Sequence, residues 1–200
     1  MSTRRVRLSP ATRREQLLDL GLQLLQTRPL DELSIDLLAE EAGISRGLLY
    51  HYFRGKQDFH RAVVRRAADE LIAQTAPEES LEPITRLTAS LQAYVDYVLA
   101  NYAAYVSLVK SAAGGDEVLR AIYEDTRTAL TARIFESLGE FGLPDTPAVR
   151  LMARGWSAMV EEVVLSWAPE QEVPKDALVA KLAEALPALL SGADTGAPAG

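Results

Sequence analysis

An all-α fold is predicted: a small N-terminal three-helix unit joined by a fourth helix to a larger helical unit, about nine helices in total. Three observations carry this. Apolar residues recur at i, i+3, i+4 and i+7 along most of the 200-residue chain, and the second half has no strand-like alternation. Clusters of glycine and proline separate most of these periodic segments, where they stop helices. Residues 34–56, SIDLLAEEAGISRGLLYHYFRGK, read as a short helix, a tight turn and a second short helix.

The first helix runs from Ser9 or Pro10 to about Thr27, with Leu17, Leu20, Leu24 and Leu25 on one stripe. Ser34 caps the second helix and Asp36 suits its first turn, because the amino end of a helix dipole favours negative charge. Leu37, Leu38 and Ala42 face inward, and Ala39 is small enough for a close helix crossing. Gly43 ends this helix, since a residue without Cβ takes the left-handed conformation there at no steric cost. Ile44 fills the corner and Ser45 caps the third helix.

At about 100° per residue, Leu49, Tyr52 and Phe53 fall on one side of the third helix, and Arg46, Gly47, Tyr50 and His51 on the other. Anchors face in and hydrogen-bonding groups face out. Such a helix, held by a small partner at a steep angle, is the usual reader of the DNA major groove; a helical hairpin with a solvated face is the alternative. The fourth helix starts at Gly55-Lys56 and carries Phe59, Val63 and Val64 inward to about Thr75.

After a break at residues 76–80, helix five presents Leu87, Leu91, Tyr94, Val95, Val98 and Leu99. Helix six spans about 102–111 and ends at Ala112-Ala113-Gly114-Gly115. Helix seven is expected over 116–141, closed by Gly142-Leu143-Pro144. Helix eight (147–168) and helix nine (175 to about 190) are bounded by Pro169 and Pro174. The domain plan is a basic arm (1–9), a helix-turn-helix domain with its connecting helix (10–75), a second helical domain (76–190) and a disordered tail (191–200).

The net charge of −7 divides unevenly. Residues 1–66 hold 12 Lys or Arg against 8 Asp or Glu, a balance of +4, whereas 67–200 hold 9 against 20, a balance of −11. Positive charge therefore sits where the motif sits, as expected when one end meets phosphates. With no cysteine there is no disulfide or thiolate metal site, and the two histidines, nine apart, would point in opposite directions on one helix. No metal and no cofactor is expected. No apolar run reaches the roughly 18 residues of a membrane span, and no signal-peptide core follows the basic N-terminus, so a cytoplasmic chain with no membrane partner is expected.

Gly43-Ile44-Ser45-Arg46-Gly47, then Leu49-Tyr50-His51-Tyr52-Phe53, then Gly55-Lys56, resembles the signature of TetR-family transcriptional regulators. The resemblance covers residues 12–60. It implies an N-terminal DNA-binding domain and a larger ligand-binding and dimerising domain. Two positions depart from the family pattern: Leu48 stands where a Thr or Ser hydroxyl often reaches DNA, and Asp36 stands where many members carry Arg. Arg46 is the candidate base reader, since its fork matches a guanine edge, and Gly47 permits close approach to the groove. Ser45, Tyr50, His51 and Lys56 are the candidate phosphate contacts, with the amino end of helix four beside Lys56. Arg4, Arg5 and Arg7 form either a minor-groove arm or a solvated tail.

One subunit has one motif, whereas readout over two turns of DNA needs two, about 34 to 36 Å apart. A homodimer on an inverted-repeat, double-stranded operator is therefore expected. Met152, Gly155, Met159 and Val163 of helix eight, with Leu178, Leu182, Leu186 and Leu189 of helix nine, are the candidate dimer face, the intrasubunit core being the alternative for each. Tyr94, Tyr97, Tyr105, Tyr123 and Trp156 are the candidate pocket for a small-molecule effector, again with core as the alternative. Glu161 and Glu162 are adjacent in an otherwise apolar helix, so one is expected to turn inward, toward Arg127, Arg154 or a cationic ligand, an interface salt bridge being the plainer alternative. The function expected is repression relieved by that effector. An architectural DNA binder without an effector is the alternative; an enzyme using the C-terminal cavity is a further one, disfavoured because the sequence has no nucleophilic Cys, no Gly-rich phosphate loop, no metal-ligand spacing and no Ser placed with a His base.

Overall fold

Ser9 accepts the Thr12 amide hydrogen on its Oγ at 3.1 Å and starts α1, Pro10–Leu25, with proline in the first turn where its missing N–H costs no bond. The structure, a computed structural model, describes residues 9–194; Arg4, Arg5 and Arg7 and residues 195–200 lie outside them. A 3-10 turn, Leu30–Glu32, leads into α2 (Ile35–Ala42) and α3 (Arg46–Tyr52). Then come α4 (Lys56–Gln74), α5 (Pro83–Ala100), α6 (Tyr102–Ala113), α7 (Glu117–Glu136), a 3-10 turn at Leu138–Phe141, α8 (Pro147–Trp167) and α9 (Lys175–Asp194). The described residues form nine α-helices and no strand, and none of these helices is long and apolar enough to cross a membrane.

By packing the chain forms two units. One runs up to Ala67 and includes Ala103–Arg120; the other holds Ala68–Tyr102 and the residues from Ala121 onward. This differs from a linear division at 75/76 by grouping most of α6 and the start of α7 with the N-terminal helices. In that first unit the Leu30 amide donates to Ser107 Oγ at 3.2 Å, and Arg61 reaches Asp116 at 3.4 Å. Its core is Leu17, Leu18, Leu25, Leu38, Leu49, Phe53, Phe59 and Val63. Gly21 lets α1 and α4 touch: a Cβ there would lie 2.6 Å from Val63 Cγ2. On the surface of the same crossing, Arg66 of α4 bonds Glu15 and Asp19 of α1, both at 3.1 Å.

In the second unit the inner face of α8, Val149, Ala153, Trp156, Val160, Val164 and Trp167, packs on α9 and α5. The Trp156 indole donates to the Leu182 carbonyl at 2.9 Å, and Trp167 to Val173 at 2.8 Å, which closes the α8–α9 connection. Buried Arg86 of α5 is paired with Glu140.

Three boundaries differ from expectation. The first helix stops at Leu25, its last turn tightening as the Gln26 and Thr27 amides bond three residues back. Helix seven ends at Glu136, because the Ser137 amide bonds back to Ile134; a separate 3-10 turn follows and ends at left-handed Gly142. Residues 191–194, expected in the tail, continue α9, which fully buried Leu190 anchors.

Candidate nucleic-acid interface

α2 is capped by Ser34, whose Oγ accepts from the Leu37 amide at 3.0 Å, and ends at Gly43, left-handed at φ 62°. The chain reverses there with the Ile44 amide bonded to the Ala39 carbonyl at 3.0 Å. Ser45 then caps α3, accepting the Leu48 amide at 3.3 Å and keeping its own O–H as a free donor type. Leu49 and Phe53 are fully buried, and Phe53 meets Phe59 edge-on at 5.2 Å between ring centres, with the Arg14 guanidinium 5.3 Å from the Phe53 ring. α3 is thus fixed by a cap and two anchors on its inner side.

Its outer side exposes Arg46, Gly47, Tyr50 and His51, the set the sequence brought together on that face, and the capping Ser45 is exposed beside them. Tyr50 is 58% exposed; Leu48 is exposed beside it, and Tyr52 is half-buried with its ring edge-on to His51. A Cβ at Gly47 would meet no atom within 4 Å among the described residues, so none of them requires glycine there. Arg46, at the start of α3, places its Nε 2.5 Å from Asp36 Oδ1 of α2. The departure from pattern at Asp36 and the candidate reader are therefore one ion pair. Sequence reasoning treated them separately, although their positions on either side of the turn were the available signal.

Lys56 opens α4 and donates its Nζ to the Asp31 backbone oxygen at 2.6 Å. The adjoining helix end carries its own carboxylate: Asp58 accepts from the Arg54 amide at 2.9 Å. Lys56 and Asp58 thus place opposite charges at this helix end. His60, one turn further, bonds the Leu33 carbonyl at 2.6 Å; burial holds its pKa below the ordinary imidazole value, with Lys56 acting in the same direction and the Leu33 bond opposing.

In the second unit, Tyr94, Tyr97 and Trp156 are buried and Tyr123 is half-buried. Tyr105 belongs to the first unit. Trp156 spends its indole N–H on α9. The Tyr123 hydroxyl donates to Glu161 at 2.5 Å, and Arg127 lies 5.5 Å from the Tyr123 ring. Burial first, and then Glu161, raise the phenol's pKa above its ordinary range. Glu161 is the half-buried carboxylate of the pair and Glu162 the exposed one, bonded to Ser166.

The expected dimer face is corrected at three positions. Leu178, Leu182 and Leu186 are buried inside the subunit, because they lie on the side of α9 that packs on α8 and α5. Met152, Gly155, Met159 and Leu189 are exposed and Val163 is half-buried. Leu151, which the sequence reading passed over, is the most exposed large apolar residue of α8, at 61%. Its spacing of four from Gly155 was the signal.

Residues 17–63 match the family model described as bacterial regulatory proteins of the tetR family, and residues 83–189 match the tetracyclin repressor-like C-terminal domain. The chain is 23% identical over 176 residues to the HTH-type transcriptional activator FasR of Mycolicibacterium smegmatis, covering 86% of this chain and 80% of that protein. It is 25% identical over 138 residues to the transcriptional repressor KstR2 of the same organism, covering 68% and 67%. A tetR-family transcriptional regulator from Streptomyces coelicolor superimposes with a TM-score of 0.84 at 29% identity, covering 94% of this chain and 84% of that one.

Proposed function

The chain belongs to the TetR family of bacterial transcriptional regulators, and from that premise we propose that it is a sequence-specific repressor. In this reading a cytoplasmic homodimer binds an inverted-repeat operator and a small molecule releases it. The observation that carries the reading is the outer side of α3: Arg46, Gly47, Tyr50 and His51 face outward from a helix that buried Leu49 and Phe53 hold in place. Arg46 reads a guanine edge beside the bare backbone of Gly47. Ser45, Tyr50, His51 and Lys56 contact phosphates, the lysine as a point charge that turns from the Asp31 carbonyl toward the stronger acceptor.

Repression demands least of such a molecule. A dimer seated on its operator excludes polymerase by its bulk, whereas activation needs a further surface. The dimer forms through the exposed residues of α8, Leu151, Met152, Gly155 and Met159, with half-buried Val163 at their edge and Leu189 of α9. The effector is held in the second unit among Tyr94, Tyr97, Tyr123 and Trp156. Because α4 continues from one packing unit into the other, a ligand that prefers one setting of α4 changes the separation of the two recognition helices. It acts only by the difference in its affinity for the two settings.

Selection of the purified protein on random duplex DNA at moderate salt tests the reading. An enriched inverted repeat, its half-sites about one helical turn apart or a multiple of it, is expected. Failure of the folded protein to enrich any sequence overturns it.

A further inference from the structure

We propose that Asp36 is a positioning residue that sets the base specificity of Arg46. This rests on the operator-binding reading above and goes beyond it, since it assigns a role in recognition to a carboxylate that touches no base. The Arg46 Nε lies 2.5 Å from Asp36 Oδ1, across the turn between α2 and α3, with the two side chains 69% and 58% exposed. Nothing buries the pair, and ion pairs this exposed contribute little to folding.

What the pair does contribute is direction. A guanidinium has two ways to offer two parallel donors to the O6 and N7 of guanine: end-on through its terminal amines, or side-on through Nε and one of them. A carboxylate at Nε takes the side-on edge and leaves the end-on pair of terminal amines for the base. Arg46 is the first residue of a helix whose cap and buried Leu49 fix the backbone, so the remaining freedom is in the long side chain, and that is what Asp36 restrains. Gly47 beside it puts no side chain in the way.

The same carboxylate works against the wrong mode of binding. If Arg46 swings to a phosphate, as it would on unrelated DNA, Asp36 is left unpaired on a surface that faces phosphates. When Arg46 meets guanine end-on, the ion pair is kept and the carboxylate stays neutralised. Specificity is a difference of affinities, and Asp36 lowers the affinity for the competitor.

The test uses full-length wild-type protein, Asp36→Asn, Asp36→Ala and Arg46→Ala, each put through selection on random duplex, then titrated with the selected site, the same site with single guanines replaced, and random duplex. Wild type is expected to prefer guanine at one position of each half-site, and Arg46→Ala to lose that preference. Both Asp36 variants should still bind the site, with discrimination at that one position reduced about tenfold and affinity for random duplex raised. Unchanged guanine preference in both Asp36 variants overturns the proposal and leaves the operator reading standing. So does a preference lost at a different position, which would make Asp36 itself a reader, or an equal change on all sequences, which would make it only a local charge. No enriched site for folded wild type overturns the operator reading, and this proposal with it.

Discussion

The guanidinium of Arg133 on α7 closes the carboxyl end of α4 by donating to the backbone oxygen of Thr75 at 2.7 Å. It also reaches Thr75 Oγ1 at 3.0 Å and the Ile72 carbonyl at 2.6 Å. The last carbonyls of a helix have no partner within it and carry the negative end of its dipole, so a cation there answers both needs. Thr75 is buried, and its own hydroxyl is donated to Leu71 at 2.7 Å. Arg133→Met keeps the length of the stem and leaves these acceptors without their donor. A loss of about 2 to 4 kcal/mol in denaturant unfolding is expected, with Arg133→Lys recovering part of it. An unchanged midpoint for the methionine variant would show that water replaces the guanidinium at no cost.

Gly21 sets the closeness of α1 and α4. The nearest obstacle to a Cβ is the methyl of Val63, a buried β-branched side chain that cannot rotate aside, with Phe59 at 3.1 Å behind it. Gly21→Ala would gain helix propensity on an open surface, by about 1 kcal/mol. Here overpacking should win, with a net destabilisation of about 1 to 2 kcal/mol. Thermal unfolding of the variant gives the sign directly.

The outward face of α3 was legible because period, cap and stop signal agree over residues 34–56: Ser34, Gly43 and Ser45 fix the register, and the register fixes which of Arg46, Leu49, Tyr50 and Phe53 face out. The partner of Arg133 was not legible, since nothing local joins residue 133 to residue 75. The same holds for Leu178, Leu182 and Leu186, whose spacing defines an apolar face of α9 but not whether its own subunit or a second one covers it. The grouping of α6 with the N-terminal helices rests on bonds such as Leu30 to Ser107, between segments far apart in the chain.

His60 makes stability depend on pH near neutrality. Burial lowers its folded-state pKa from the ordinary 6.5, while the unfolded chain keeps the ordinary value. Between the two values the unfolded state binds more protons, so stability rises with pH there. The contribution is complete above pH 6.5 and falls as pH drops through that value toward the folded one. Denaturant midpoints at pH 7.5 and 5.5 should differ more for wild type than for His60→Gln. The variant is also less stable at pH 7.5 if it fails to restore the bond to Leu33. An equal pH response in both proteins would place the titrating group elsewhere.

Tyr50 and Lys56 should separate charge from contact. Lys56→Ala is expected to weaken binding to selected and random duplexes alike and to reduce the slope of log affinity against log salt by about one, since one phosphate contact disappears. Tyr50→Ala should weaken both as well but leave the slope unchanged, because a phenol displaces no counterion. Filter binding over a range of salt concentrations measures both quantities. A change of base preference in either variant would move that residue from phosphate contact to reader.

Leu151, Gly155 and Met159 follow one another at four-residue spacing on α8 and are exposed, whereas half-buried Val163, seven residues after Trp156, lies at about the same angle as that buried indole. A Cβ at Gly155 would meet nothing within 4 Å among the described residues, so a facing helix could approach closely at that point. If this stripe joins two subunits, a carboxylate in its middle must be buried without a partner. Met159→Glu and Leu151→Glu should then each weaken dimerisation by roughly thirtyfold or more, the effect of about 2 kcal/mol at an interface anchor. Subunit stability should stay near wild type, because both side chains are exposed in the single chain. Leu182→Ala provides the contrast: it lies between α8 and α9 and should lower subunit stability by about 2 to 4 kcal/mol whatever the oligomeric state. Sedimentation of the three variants at micromolar concentration decides the matter. Monomers for the two glutamate variants, with operator binding lost in parallel, assign the stripe to the dimer; persistent dimers in both place the interface on another surface.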